Sequence, residues 1–361
     1  MRTVCLLLAL TCTHQGIGQG PLLPIMRNSL YGYADSRGRE VIKPRFHLAE
    51  PFSEGLASVS VCTDGGWRWG FISETGSFVI NPRFHDSKSF REGVAGVKVG
   101  DKWGFVNKNG ELTIDAKFDD EFAVDFEFRE GLSAVKVNEK YGFIDLSGKL
   151  VISADFDFAE NFSEGLARVI IDDKAGFIDR TGKIVIPPKY DRASRFSEGL
   201  GLVNIGWTPD KNSDDPGYNS GKWYYIDGAG KNVFPTGYEY AEAFSEGLAL
   251  VRVNGKIGYI NVSGAYVITP RFDSGESFSE GLAAVEVNDR WGYIDTTGRF
   301  VIFPRFQAAS SFNNGYAGIR RLTRKYLYID YIDKKGEFVM TQSKTKVGVW
   351  LGTADCPART S

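Results

Sequence analysis

Residues 278–306 read Phe-Ser-Glu-Gly-Leu-Ala-Ala-Val-Glu-Val-Asn-Asp-Arg-Trp-Gly-Tyr-Ile-Asp-Thr-Thr-Gly-Arg-Phe-Val-Ile-Phe-Pro-Arg-Phe, and this stretch decides the fold. Positions 281–287 alternate, which puts Ala283, Val285 and Val287 on one face of a strand. The short turn Asn288-Asp289-Arg290 leads at hairpin spacing into a second strand, 291–295. Asp295-Thr296-Thr297-Gly298 then reads as a type I turn, in which the Asp side chain caps open amides and Gly supplies the positive φ that follows. A third strand, 300–302, ends at Pro304, and Pro304-Arg305-Phe306 begins a crossing to the next unit. No helix is needed.

Outward from this stretch the chain repeats itself. Phe-Ser-Glu-Gly-Leu or a close variant begins at Phe52, Phe90, Phe128, Phe162, Phe196, Phe244, Phe278 and Phe312, with a basic step of 34 residues and loop insertions. An aromatic-Gly-aromatic landmark follows, as in Trp69-Gly70-Phe71, Tyr141-Gly142-Phe143 and Trp291-Gly292-Tyr293, and Tyr31-Gly32-Tyr33 opens the series without a preceding Ser-Glu-Gly element. Eight full units and one partial unit result. A three-stranded meander of this size cannot bury its apolar face alone, so neighbours must share a core. Phe46, Phe52, Trp69, Phe71 and their equivalents are the natural filling, and the glycine after each Trp lets another backbone approach closely.

These landmarks, with Lys102-Trp103-Gly104-Phe105, resemble the WG-type (KWG-like) tandem β-repeat family over about residues 31–340. The resemblance implies a repeat architecture without an assigned activity, and it carries no catalytic residues over. Residues 119–127 and 208–222 depart from the period and are where an individual function would be inserted.

The expected fold class is all-β: about nine tandem three-stranded antiparallel meanders in an open curved array. Lys98, Lys136, Arg252 and Glu286 on the alternate positions of the first strand favour a sheet exposed on one side. The alternative is a closed β-propeller-like ring, in which the spare segment Val347-Gly348-Val349-Trp350-Leu351 supplies the first strand missing from the opening unit.

Residues 1–20 combine Arg2, an apolar run from Val4 to Leu10 and Gly16, Gly18 and Gly20, the pattern of a secretory signal peptide. The domain reading is 1–20 signal peptide, 21–340 repeat array and 341–361 C-terminal tail. The expected location is secreted or cell envelope, with lipid anchoring through Cys12 the weaker reading and no transmembrane segment. Removal of the leader leaves Cys62 and Cys356, enough for one disulfide but not for a cysteine-rich zinc site. The net charge of −2 gives no global field for phosphate backbones, so nucleic acid is not an expected partner.

A glutamate series, Glu54 through Glu280, recurs in every full unit except the last, where Asn314 stands. Repetition of this kind reads as turn capping, because a catalytic pair needs no copies. A basic series, Arg45, Arg83, Lys117, Lys189, Arg271 and Arg305, forms a candidate stripe for an anionic glycan or protein, against a reading as solvated or ion-paired side chains. The polar loop 210–217 echoes the start of a calcium loop but has Gly221 where the closing glutamate belongs. His47 and His85 occupy equivalent repeat positions, and no further metal ligand stands out. No nucleophile elbow, phosphate loop or His-Glu-x-x-His motif occurs. The expected function is a non-catalytic, cofactor-free scaffold presenting a surface to a protein or extended polymer. The alternative is carbohydrate binding through Trp207, Tyr218, Trp223 and Tyr224 around the inserted loop, with a hydrolase further behind.

Overall fold

A computed structural model describes residues 20–119, 126–208, 221–323 and 326–346. The chain is all-β: nine small antiparallel sheets arranged as a nine-bladed propeller ring, with no helix among the described residues. The blades span 23–46, 48–84, 86–119, 132–156, 158–190, 192–226, 240–272, 274–306 and 308–346. Blade 8 shows the pattern. The strands Leu282–Val287, Arg290–Asp295 and Phe300–Phe306 form the expected meander, and a two-residue strand, Ser274–Gly275, pairs with the free edge of the first. In blade 6 the third strand is reduced to isolated bridges, Ile226 to Asn232 and Trp223 to Tyr238.

Turn chemistry sets the blade locally. Asn288 and Asp289 both have positive φ, the mirror-image hairpin turn that matches strand twist. Asp295 Oδ1 accepts from Thr297 N at 2.9 Å and Arg299 N at 3.0 Å, the capping expected of the Asp-x-x-Gly turn. Opposite Gly292 the third strand bulges, and a Cβ at Gly292 would lie 2.5 Å from Ile302 O and 2.7 Å from Pro304 N. The backbone that approaches each such glycine is therefore the third strand of its own blade, and the bulge accommodates the proline that has no N–H to donate.

Adjacent blades share aromatic cores. The second aromatic of each landmark packs on the Phe that opens the next Phe-Ser-Glu-Gly element, in eight pairs from Tyr33–Phe52 to Tyr293–Phe312 with ring centroids 4.8 to 5.0 Å apart. Each pair contributes on the order of 1 kcal/mol beyond the apolar area it buries.

The open array is not what forms. Leu282, Ala283, Ala284 and Val285 are all buried, so the first strand is covered on both faces. Lys98, Lys136, Arg252 and Glu286 come only after that fully covered stretch and are half-buried. Blade 1 meets blade 9: Leu23, Ile25, Ala34 and Met340 form one core with Tyr316, Tyr331 and Val339. Arg27 Nη1 donates to Thr341 O at 2.5 Å, and Tyr316 OH donates to Ser36 O at 2.7 Å. The opening blade also lacks no strand, because Leu23–Arg27 pairs with Leu30–Ala34 and supplies its first. The last strand, Phe338–Lys346, runs past the boundary expected at 340. The segment 347–351 lies outside the described residues, as does the leader 1–19.

Candidate functional site

The glutamate series caps turns, but each carboxylate caps the turn of the following blade. Glu54 and its equivalents sit at positive φ, 51° to 56°, followed by a glycine also at positive φ. This conformation is unfavourable for a residue with a Cβ. It aims the side chain across the blade boundary. Glu164 accepts from Glu198 N at 2.7 Å and Gly199 N at 2.8 Å, Glu246 from Glu280 N at 2.6 Å and Gly281 N at 2.8 Å, and Glu280 from Gly315 N at 2.8 Å. Serine of the same motif does likewise: Ser245 Oγ donates to Phe278 O and Ser279 Oγ to Phe312 O. Asn314 replaces glutamate where the next blade is blade 1, which starts at Leu23 and has no Ser-Glu-Gly turn to receive a carboxylate.

The basic series is drawn into the same boundaries. Arg45 Nη2 donates to Gly76 O at 2.5 Å, Arg83 Nη2 to Gly110 O, Arg271 Nη2 to Gly298 O at 2.7 Å and Arg305 Nη2 to Gly336 O at 2.7 Å. All four guanidiniums also lie about 5 Å from the centroid of the following Phe ring. Lys117 and Lys189 lie over Phe118 and Tyr190. The six side chains stay at the surface, and each of the four arginines directs one donor at the neighbouring turn.

The candidate aromatics of the insertion are not brought onto one platform. Trp223 packs half-buried with Leu202, Phe234 and Tyr238, whereas Tyr224, next along the strand, packs with Phe177, Tyr190 and Phe196 in the preceding core. Trp207 lies beneath the Arg192 guanidinium at 4.0 Å. Tyr218 and the polar loop 210–217 lie outside the described residues. Close to Trp207, Asn204 is fully buried, and among the described residues neither of its side-chain polar atoms nor Trp207 Nε1 has a hydrogen-bond partner. Asn204 was not legible as unusual from the sequence, because its neighbours Val203 and Ile205 read as ordinary strand.

The two histidines occupy a structural position. His85 Nδ1 accepts from Gly100 N at 3.0 Å, and His47 stacks on Trp67 with centroids 3.9 Å apart. In later blades the same position is Asp119, Asp157, Asp191, Glu239, Asp273 and Gln307. Four of these aspartates bind the lysine that opens the second strand: Lys102 to Asp119, Lys140 to Asp157 at 2.5 Å, Lys174 to Asp191 at 2.6 Å and Lys256 to Asp273 at 2.5 Å. A constant offset of 17 residues is the sequence signal for this pair. No group of three or more His, Cys, Asp or Glu placed to hold a metal occurs among the described residues. Cys62 is disulfide-bonded, and its partner lies outside the described residues, as do Cys5, Cys12 and Cys356.

Grooves between blades differ in lining although the frame is constant. Between blades 7 and 8 a groove of about 620 Å³ is lined by Glu242, Glu276 and Arg252. Burial, and then the nearby Glu242 charge, hold the Glu276 carboxyl above its ordinary value. Ser277 Oγ donates to Glu242 Oε2 at 2.5 Å. Between blades 3 and 4 a groove of about 400 Å³ is lined instead by Lys102, Lys117 and Lys136 with Asp119.

The family model described as WG containing repeat matches residues 31–67, 69–103, 103–141, 141–174, 176–206, 225–256, 257–291 and 291–321. No curated protein matches the chain. Among solved structures, the chain is similar to KlHsv2 with loop 6CD replaced by a Gly-Ser linker, at 11% identity and a TM-score of 0.38 over 70% of this chain and 95% of that one. Dihydro-heme d1 dehydrogenase NirN in complex with DHE matches at 11% identity and a TM-score of 0.42, over 91% and 75%. The extracellular domain of the hybrid two-component system BT3049 from B. thetaiotaomicron matches at 8% identity and a TM-score of 0.29, over 90% and 57%.

Proposed function

Since the chain belongs to the WG-containing repeat family, with a ring of nine blades as its frame, we propose that it is a non-catalytic binding scaffold, exported to the cell envelope or beyond, whose inter-blade grooves bind a protein or an extended polymer. One observation carries this reading. The bonds that hold blades together repeat almost unchanged, while the groove linings change from Glu242 and Glu276 at one boundary to Lys102, Lys117 and Lys136 at another. A fixed frame with individually charged grooves suits recognition, because charge complementarity supplies specificity more than raw affinity. The test uses the intact ring, since truncation would break its closure. Wild type, Glu276→Lys and Lys136→Glu are compared for retention of proteins from a native secretome and for binding to a glycan array. Loss of one partner set in one groove variant supports the scaffold; identical profiles for all three overturn it.

A second reading, carbohydrate binding at the insertion, is favoured by the Asn204 amide and Trp207 Nε1, which have no partner among the described residues and are the kind of polar groups that a hydroxyl-rich ligand satisfies. Replacing 208–222 with a Gly-Ser link should abolish glycan-array binding if this reading holds, and unchanged binding rejects it.

A further inference from the structure

Blade 8 breaks the charge pattern that blades 3, 4, 5 and 7 keep. In those blades the cation opening the second strand is bound by an aspartate 17 residues later, and in three of them that aspartate also accepts a backbone N–H through its second oxygen, as Asp273 Oδ2 does from Asn288 N at 2.8 Å. In blade 8 the cation is Arg290 and the residue at that offset is Gln307. Gln307 keeps the backbone task, with Oε1 accepting from Leu322 N at 2.8 Å. It brings no charge, so Arg290 loses the counter-ion that its equivalents in blades 3, 4, 5 and 7 have.

Arg290 and Gln307 line a groove of about 420 Å³ between blades 8 and 9. Arg305, Arg320 and Arg321 line it too. The one carboxylate among its lining residues, Asp330, is already bound: Arg321 Nε donates to its Oδ2 at 2.7 Å, and Thr341 Oγ1 donates to its Oδ1 at 2.7 Å. Arg305 meets a neutral carbonyl, Gly336 O. Among the described residues, no hydrogen bond or ion pair is made by the Arg290 or Arg320 side chain. Four guanidiniums therefore line one groove with a single carboxylate, Asp330, which Arg321 already binds. Beside them stand two apolar side chains left in water, Leu322 at 51% and Phe338 at 63% exposed.

We propose that this groove binds an oxyanion, a carboxylate or phosphate group, carried by a ligand whose adjoining face is apolar. Guanidinium forks match planar or tetrahedral oxyanions bidentately, and hydrogen bonds to a charged acceptor are among the stronger ones available at a surface. Leu322 and Phe338 would cover the body of the ligand and lower the local dielectric around the pairs. This assigns a ligand class to one groove of the scaffold proposed above.

The experiment titrates the full chain calorimetrically at low salt with phenyl phosphate, with benzoate and with the neutral phenyl β-glucoside. The decisive variant is Gln307→Asp, which installs the carboxylate that four other blades carry and so should fold at least as well as wild type. Arg320→Gln, at an exposed position, is the second. Wild type should bind phenyl phosphate, benzoate or both, and the stronger of the two identifies phosphate or carboxylate as the natural group. Each variant should weaken binding by about tenfold, the scale of one charge-assisted contact, and added salt should weaken wild-type binding. The proposal is overturned if neither anion binds at millimolar concentration, if both variants bind like wild type, or if the neutral glucoside binds equally well. Because the probes are small molecules, such a failure leaves the groove-exchange test of the scaffold reading undisturbed.

Discussion

The Glu164 carboxylate accepts the backbone N–H of Gly199, one repeat away, at 2.8 Å, and Glu198 beside that glycine passes the same contact on to Gly247 at 2.9 Å. A residue forced to φ 55° is thereby made useful, because the left-handed conformation points its side chain out of its own blade. Glu164→Ala loses the charge-assisted bonds and keeps the backbone strain, so urea denaturation should show a loss of about 1–2 kcal/mol. Glu164→Gly loses the same bonds but relieves strain worth about 1 kcal/mol. The expected order is wild type, then Gly, then Ala; coincident curves for Ala and wild type would remove the clasp from the account of ring stability.

Two glycines of the repeat motifs, Gly104 and Gly165, should respond differently to alanine. At Gly104 a Cβ would stand 2.6 Å from Ile114 O and 2.7 Å from Ala116 N, both backbone atoms that cannot swing aside. Gly104→Ala should cost about 3 kcal/mol or more, the scale of a serious core clash. At Gly165 nothing lies within 4 Å, and only the φ of 79° opposes a side chain, so Gly165→Ala should cost about 1 kcal/mol. Thermal melts of the two variants decide it, and equal shifts would mean that the bulge yields.

The strands, turns and shared aromatic cores were legible because they depend on local alternation, on Asp-x-x-Gly chemistry and on a motif repeated until its meaning was plain. Closure was not. Lys98, Lys136, Arg252 and Glu286 suggested an uncovered face, yet a strand can be fully covered at Leu282–Val285 and wetter from Glu286 onward, and period-two reasoning does not locate that change along a strand. The glutamate series was readable as capping but not as capping across a boundary, since sequence spacing does not say which turn a flexible carboxylate meets. Gln307 was overlooked because its significance appears only once Asp157, Asp191 and Asp273 are seen to bind lysines 17 residues earlier.

Those same aspartates should contribute to acid sensitivity of the fold. Hydrogen bonds from Lys140, Lys174 and Lys256 come first among the causes that hold Asp157, Asp191 and Asp273 below the ordinary carboxylate range. Asp145, Asp179 and Asp295 are lowered first by the hydroxyls of Ser147, Thr181 and Thr297. A carboxyl group whose folded pKa is depressed stabilises the fold above its unfolded pKa, about 4 for Asp, and loses that contribution as pH falls through the lower folded value. The melting temperature should therefore hold from pH 7 to about 5 and drop below about 4. A triple Asp157→Asn, Asp191→Asn, Asp273→Asn variant should start lower and fall less; parallel curves would place the acid sensitivity elsewhere.

Export has a covalent readout. Cys62 is disulfide-bonded, and if the leader 1–20 is removed, Cys356 is the one cysteine left to bridge it within the chain. Peptide mapping of secreted material without reductant should show the two joined and a mature N-terminus near Gly18 to Gly20. A free Cys62 thiol, or an intact Met1, would contradict exported processing.

Glu276 runs opposite in sign to the aspartates. Its pKa is raised by burial and then by repulsion from Glu242 in the groove between blades 7 and 8. A raised folded value means that the protonated form is the better fit: its contribution is fully present below the unfolded glutamate pKa of about 4.3 and is lost as pH rises through the folded value. Ionising Glu276 in the folded protein therefore costs the fold stability. Glu276→Gln keeps the shape and removes the charge, so it should raise the melting temperature at pH 7, and this advantage should vanish below about pH 4, where wild type is itself protonated. A variant that is no more stable at pH 7, or equally favoured at both pH values, would mean that the strain between the two glutamates is relieved by another route, with Arg252 on the groove wall as the first place to look.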